Sequence, residues 1–214
     1  VLFLLFLYTR YQEEYKYISN YELNIPASLA FIRHGFLFTI LMAANVIYNK
    51  IDIIMLEKMI GSTEVGYYSG ATKFIYPFMF ISGAFMTAIF PKLAKHSEEK
   101  DKFKIIQNLA LYYLGGIGVL LSTLLFLGAD MIFQLFFGDK YDDSIPVFKV
   151  LVWYLAIVFI YGTISNSLVA KNKVVFLVYL NLFMIVLNVL LNFFLIPVYG
   201  AKGAAIATII CEVL

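Results

Sequence analysis

The chain of 214 residues is 62% hydrophobic and only 14% charged, with a mean hydropathy of +0.86. Soluble domains carry about a quarter charged residues, so this balance excludes a globular protein and points to a polytopic membrane protein. The formal net charge of +2 carries little information, and the single cysteine, Cys211, excludes an intrachain disulfide.

The sequence holds no metal-ligand cluster, no phosphate-binding glycine loop and no nucleophile triad, and His34 and His96 lie far apart. It therefore reads as a non-enzyme with no cofactor and no nucleic-acid partner. Val1 lies inside an apolar run, and so does Leu214, so the chain reads as a fragment with helices missing at both ends. Val1–Leu7 lacks the basic start and small-residue cleavage site of a signal peptide.

Val1–Tyr8 reads as the tail of a membrane helix. Thr9–Ala27 is a polar loop, so residues 1–27 form an end-plus-loop segment before a bundle at 28–214. Ser28 is a plausible N-cap for a first complete helix over 28–58. That helix exceeds the roughly 20 residues a bilayer needs, so it tilts, bends or protrudes. Gly61 and Ser62 break the pattern, and the second helix covers 65–93, with Pro77 inside it. A basic loop carries Lys92, Lys95, Lys100, Lys102 and Lys104. The third helix is expected over 105–137, followed by an acidic turn, Gly138–Pro146, with Asp139, Asp142 and Asp143. The fourth covers 147–170 and the fifth 174–198, ending at Pro197. A tight turn, Tyr199–Lys202, leads to a sixth helix at 203–214 that is cut off.

Orientation follows from the basic residues. Arg10, Lys16, Arg33, Lys92, Lys95, Lys100, Lys102, Lys104, Lys171 and Lys173 fall on one side; Lys58, Lys140, Lys149 and Lys202 fall on the other. The positive-inside rule puts the first group in the cytoplasm.

Charges at membrane depth are the functional candidates. Each costs roughly 2.5–3.5 kcal/mol on insertion scales, so it faces protein or water. Asn45, Asn49 and Asp52 share one stripe of the first helix; Ser69, Thr72, Lys73 and Tyr76 share one stripe of the second. These stripes predict a wet seam in which Lys73 pairs with Asp52, while Lys50 points elsewhere. The pair is either structural or substrate-facing, and Lys50 either snorkels to headgroups or meets cargo. Asn181, Asn188 and Asn192 lie on one narrow face of the fifth helix. Asn181 suits an interhelical hydrogen bond; Asn188 and Asn192 suit a cavity lining. Tyr154, Tyr161 and Ser165 form a similar stripe, read as packing or interface anchors in preference to a sugar-stacking platform. Arg33 either snorkels or holds a diphosphate headgroup at the cytoplasmic mouth.

Two stretches carry a family resemblance. The first is Asn49-Lys50-Ile51-Asp52-Ile53-Ile54-Met55-Leu56, with Gly61 and Val65-Gly66-Tyr67-Tyr68-Ser69. The second runs from Asn188-Val189-Leu190-Leu191-Asn192 to Ile196-Pro197-Val198-Tyr199-Gly200-Ala201-Lys202-Gly203-Ala204-Ala205. Phe136-Phe137-Gly138 followed by Tyr141 also fits. Together they resemble the polysaccharide transporter branch of the multidrug/oligosaccharidyl-lipid/polysaccharide (MOP) exporter superfamily. The resemblance implies an all-α, polytopic transmembrane helix bundle, the second six-helix half of a twelve-helix, MATE-like transporter. It further implies flipping of undecaprenyl-diphosphate-linked oligosaccharide across the bacterial inner (plasma) membrane by alternating access, for surface polysaccharide biosynthesis. The implied partners are that lipid-linked oligosaccharide, membrane lipid and the missing N-terminal half. On this reading Lys50, Lys73, Arg33, Asn45, Asn49, Tyr76, Asn188 and Asn192 bind cargo, and Asp52 couples an ion. The competing readings are a multidrug or cation extruder of the same superfamily, a flippase for the peptidoglycan lipid precursor, and a membrane glycosyltransferase or polymerase. The last requires a large soluble loop or an outward carboxylate cluster, and the Asp139–Asp143 turn is too small.

Overall fold

The computed structural model describes residues 25–214; the side chains of residues 25–34, 37, 139 and 140 fall outside that description. The expected helix tail and most of the polar loop before residue 25 therefore lie outside the described residues. The chain divides into two compact units, Val1–Thr39 and Ile40–Leu214, and the packing below is that of the second.

Every described element is helical. The order is α1 (Ile25–Met59), α2 (Ser62–Lys95), α3 (Lys100–Leu127), α4 (Ala129–Phe137), a 3-10 turn (Gly138–Tyr141), α5 (Ser144–Leu151), α6 (Tyr154–Ala170) and α7 (Val174–Val213). Among the described residues, 5 helical stretches are long and apolar enough to cross a membrane. This is a multi-pass membrane protein.

Several expected boundaries move. Ser28 is not an N-cap: α1 already begins at Ile25, where Pro26 suits a first turn. The expected third helix over 105–137 is two helices. It starts at Lys100, with Asp101 in the favourable first turn, and breaks at Gly128 into α3 and α4. The expected acidic turn is largely ordered too, because Pro146 sits in the first turn of α5, where its missing N–H costs nothing. Pro197 does not end the fifth helix either. Only Gly200, at φ 58° and ψ −137°, leaves helical geometry within α7.

That single residue reverses the chain. An uninterrupted helix would hold residues 192 and 208 about 24 Å apart, yet Asn192 and Thr208 both touch the Asp52 carboxylate. The segment after Gly200 needs a partner for its first amide. Glu64, in the first turn of α2, supplies one, accepting the Ala201 N–H at 2.6 Å.

Two devices fix the rest. A Cβ on Gly118 would lie 2.9 Å from the Cα of Ala156, so α3 and α6 touch backbone to backbone. At the far end an aromatic knot locks α4 and α5 onto α2. The Phe74 ring lies 5.3 Å from that of Phe133 and 6.2 Å from that of Phe148, and Phe137 stacks on Tyr141 at 4.6 Å. Such ring pairs contribute roughly 0.5–1.5 kcal/mol each beyond their burial.

Candidate functional site: a buried carboxylate beside a polar cavity

Asp52 is 3% exposed on α1. One carboxylate oxygen accepts the Asn192 amide at 2.6 Å. The other accepts the Tyr68 hydroxyl at 2.7 Å and the Thr208 hydroxyl at 2.8 Å. The donors come from α2 and both arms of α7. The Asn192 amide also donates to Asn188 Oδ1 at 2.9 Å, extending the network up the same helix face. All three donors are neutral, so no counter-charge among the described residues sits against Asp52.

The expected Lys73–Asp52 pair does not form. Tyr68 and Thr72 face inward on α2, and the next residue points about 100° away, which leaves Lys73 exposed. Lys50 is exposed as well, and the Arg33 side chain lies outside the described residues.

The asparagines exchange their expected places. Asn188 and Asn192 are fully buried in the Asp52 network and line none of the described cavities. Asn181 instead donates to the Leu177 carbonyl of its own helix at 2.9 Å and lines a cavity. Asn188 Nδ2 and Asn192 Oδ1 have no hydrogen-bond partner among the described residues.

Two hollows adjoin this network. The larger, about 550 Å³, is bounded by Asn45, Tyr48, Asn49, Tyr154, Tyr161, Asn181 and Glu212, with a mainly apolar remainder. The smaller, about 20 Å³, lies directly against Asp52, Tyr68 and Thr208, with Tyr76 at its edge. It has room for about one water. The two hollows share Tyr48, Asn49 and Tyr154 as walls. Of the expected cargo residues, Asn45 and Asn49 border the larger hollow and Tyr76 the smaller, while Lys50 and Lys73 border neither.

Sequence reasoning overlooked Tyr68 and Thr208. Both had a signal: Tyr68, Thr72 and Tyr76 repeat at i, i+4, i+8, and Thr208 and Glu212 at i, i+4.

A second acidic residue, Asp130, lies between two candidate membrane spans. Asp130 on α4 accepts Lys149 Nζ from α5 at 3.0 and 2.7 Å, one contact to each oxygen. Hydrogen bonding to the Lys149 ammonium holds its carboxyl below the ordinary value of 3.8.

Comparison with known proteins gives a consistent pattern. The model of the family described as "polysaccharide biosynthesis protein" matches residues 2–146. A putative O-antigen transporter of Shigella flexneri is 26% identical over 161 residues, 73% of this chain and 37% of that protein. A probable low-salt glycan biosynthesis flippase of Haloferax volcanii is 27% identical over 75% of this chain and 34% of its own. A capsular polysaccharide biosynthesis protein of Staphylococcus aureus is 25% identical over 92% and 52%. The chain thus spans about half or less of the length of these curated relatives. Among solved structures, a MOP superfamily transporter from Pyrococcus furiosus superposes with a TM-score of 0.74 at 18% identity. A multidrug resistance MATE family transporter in an outward-facing conformation gives 0.75 at 17%. Each superposition covers 86% of this chain and 42% of the other, and at these identities the likeness concerns the fold.

Proposed function

The chain belongs to the polysaccharide biosynthesis protein family, and from that premise we propose that it is the C-terminal half of a flippase for undecaprenyl-diphosphate-linked oligosaccharide in the bacterial inner membrane. It is a polysaccharide transporter of the MOP superfamily, and the finer reading concerns cargo and coupling. The reading makes it a non-enzyme. A diphosphate and a hydrated glycan cannot cross hydrocarbon unaided, so a wet cleft between two bundles must carry them. The glycan meets the polar wall around Asn45 and Asn49. Lys50, Lys73 and Arg33 neutralise the diphosphate outside the larger hollow. The apolar lipid stays in the bilayer, and rocking of one bundle against the other alternates access.

The observation that carries this reading is the shared wall between the larger hollow and the Asp52 network. Cargo that shifts Tyr48, Asn49 or Tyr154 necessarily alters the space beside Asp52. In this proposal Asp52 binds the driving ion, with Asn188 and Asn192 as its support. The donor set suits a proton or a small hard cation, since every group offered to it bears oxygen or an amide.

The competing reading, a cation extruder, is favoured by one feature: Glu212 borders the larger hollow and no described lysine does. Complementation separates the two. The full-length protein that contains this chain is expressed in a bacterium lacking its own glycan flippase, with Asp52→Asn, Lys50→Ala and Lys73→Ala in parallel. Restored surface polysaccharide, lost in the variants at equal protein levels, is the expected result. Resistance to cationic drugs without polysaccharide would overturn the flippase reading and leave Asp52 as the coupling group of an extruder.

A further inference from the structure

The larger hollow has one acidic residue in its wall. Its one charged wall residue among the described residues is Glu212, on the second arm of α7. Asn45, Asn49 and Asn181 each offer both a donor and an acceptor amide, or the part of one not used within its own helix. Tyr48, Tyr154 and Tyr161 present ring surface and a hydroxyl. At about 550 Å³ the hollow is in the range of small-molecule sites. Lys50 and Lys73 are exposed away from it.

Rings, amides and one carboxylate match a sugar residue. The rings cover its C–H face, the amides pair with hydroxyls that both donate and accept, and the carboxylate accepts from hydroxyls or an amine. With Glu212 ionised the same set repels a carboxylate or phosphate, because two like charges brought out of bulk water interact strongly. We propose that this hollow receives a neutral or amine-bearing sugar of the glycan, and that Glu212 is the specificity residue that turns away anionic sugars. The proposal rests on the flippase reading above and divides the cargo. The glycan enters the acidic hollow, and the diphosphate stays with the lysines outside it.

The test uses a flippase-deficient bacterium that makes, in parallel, a repeat unit of neutral hexoses and one of equal length containing a uronic acid. Surface glycan is measured for the full-length protein that contains this chain, and for its Glu212→Gln and Glu212→Lys variants, each normalised to its level in the membrane. The expected result is neutral export exceeding uronic-acid export about tenfold or more, with that ratio falling in Glu212→Gln and further in Glu212→Lys. Equal export of both glycans by the unaltered protein would overturn the proposal while leaving the flippase reading intact. So would a ratio that neither substitution moves. Export of neither glycan would instead sink the flippase reading itself. Poor expression of Glu212→Lys is covered by Glu212→Gln, which keeps the shape and removes the charge.

Discussion

Asp52 and Asp130 are both aspartates that hold helices together, and their surroundings are opposite. Asp130 meets a lysine in the open, where its side chain is 68% exposed and water screens the pair. Asp52 is buried and meets three neutral donors from two other helices. At the surface a full counter-charge is easily placed and gains little. In the interior a lysine would bring its own desolvation cost, whereas hydroxyls and an amide solvate the anion without adding a second buried charge. The interior arrangement leaves the Asp52 carboxyl without a counter-charge among the described residues, as the proposed coupling role requires.

The sharpest way to break this contrast is to remove a neutral donor. Asn192→Ala should lower stability by about 1–3 kcal/mol, because a buried acceptor is left short. Adding Asp52→Asn should recover part of that loss, and thermal unfolding of the singles and the double in detergent would reveal the coupling. If the double simply adds, the donors are not acting on one charge. Next comes backbone packing, which involves no charge. Gly118→Val should cost about 1–3 kcal/mol by forcing α3 off Ala156, read by the same unfolding assay. A third, smaller effect concerns Glu64, a carboxylate that serves as a cap. Glu64→Ala should cost about 0.5–2 kcal/mol, as for loss of an N-cap. Hydrogen exchange at Ala201 should rise.

The smallest effect belongs to Asp130. Its carboxyl is held below its ordinary value, so the pair contributes above the unfolded pKa of about 3.8 and is lost as pH falls through the lower folded value. Lys149→Ala should therefore lower stability slightly at neutral pH, with the difference from the unaltered protein vanishing as pH falls below the folded value, and should raise the pH at which Asp130 titrates. A large loss of stability at neutral pH would show that the exposed pair is not the weak contact its surroundings imply.

Much of the bundle was legible from the apolar runs, since a span needs a long hydrophobic stretch whatever it packs against. Boundaries were less so. Gly128 splits one apolar run that hydropathy alone treats as continuous, and the lysine-rich start of α3 is helical despite its charge. Asp52 stood out because a carboxylate at that depth needs a reason. Its partners did not, because two of the three donors are 140 and 156 residues away in the chain. The pairing with Lys73 failed on rotation: one residue along a helix separates an inward from an outward direction. Asn181 and Asn192 share a face by angle, but depth along the axis gives one to a cavity and the other to a carboxylate.

The hairpin at Gly200 also dictates an order of events during synthesis. Thr208 leaves the ribosome 156 residues after Asp52. At about 5–20 residues per second that interval is roughly 8–31 s. For all of it α1 carries a carboxylate whose Asn192 and Thr208 donors have not both been made. The first helix of the bundle therefore cannot settle into its final place until the last one arrives.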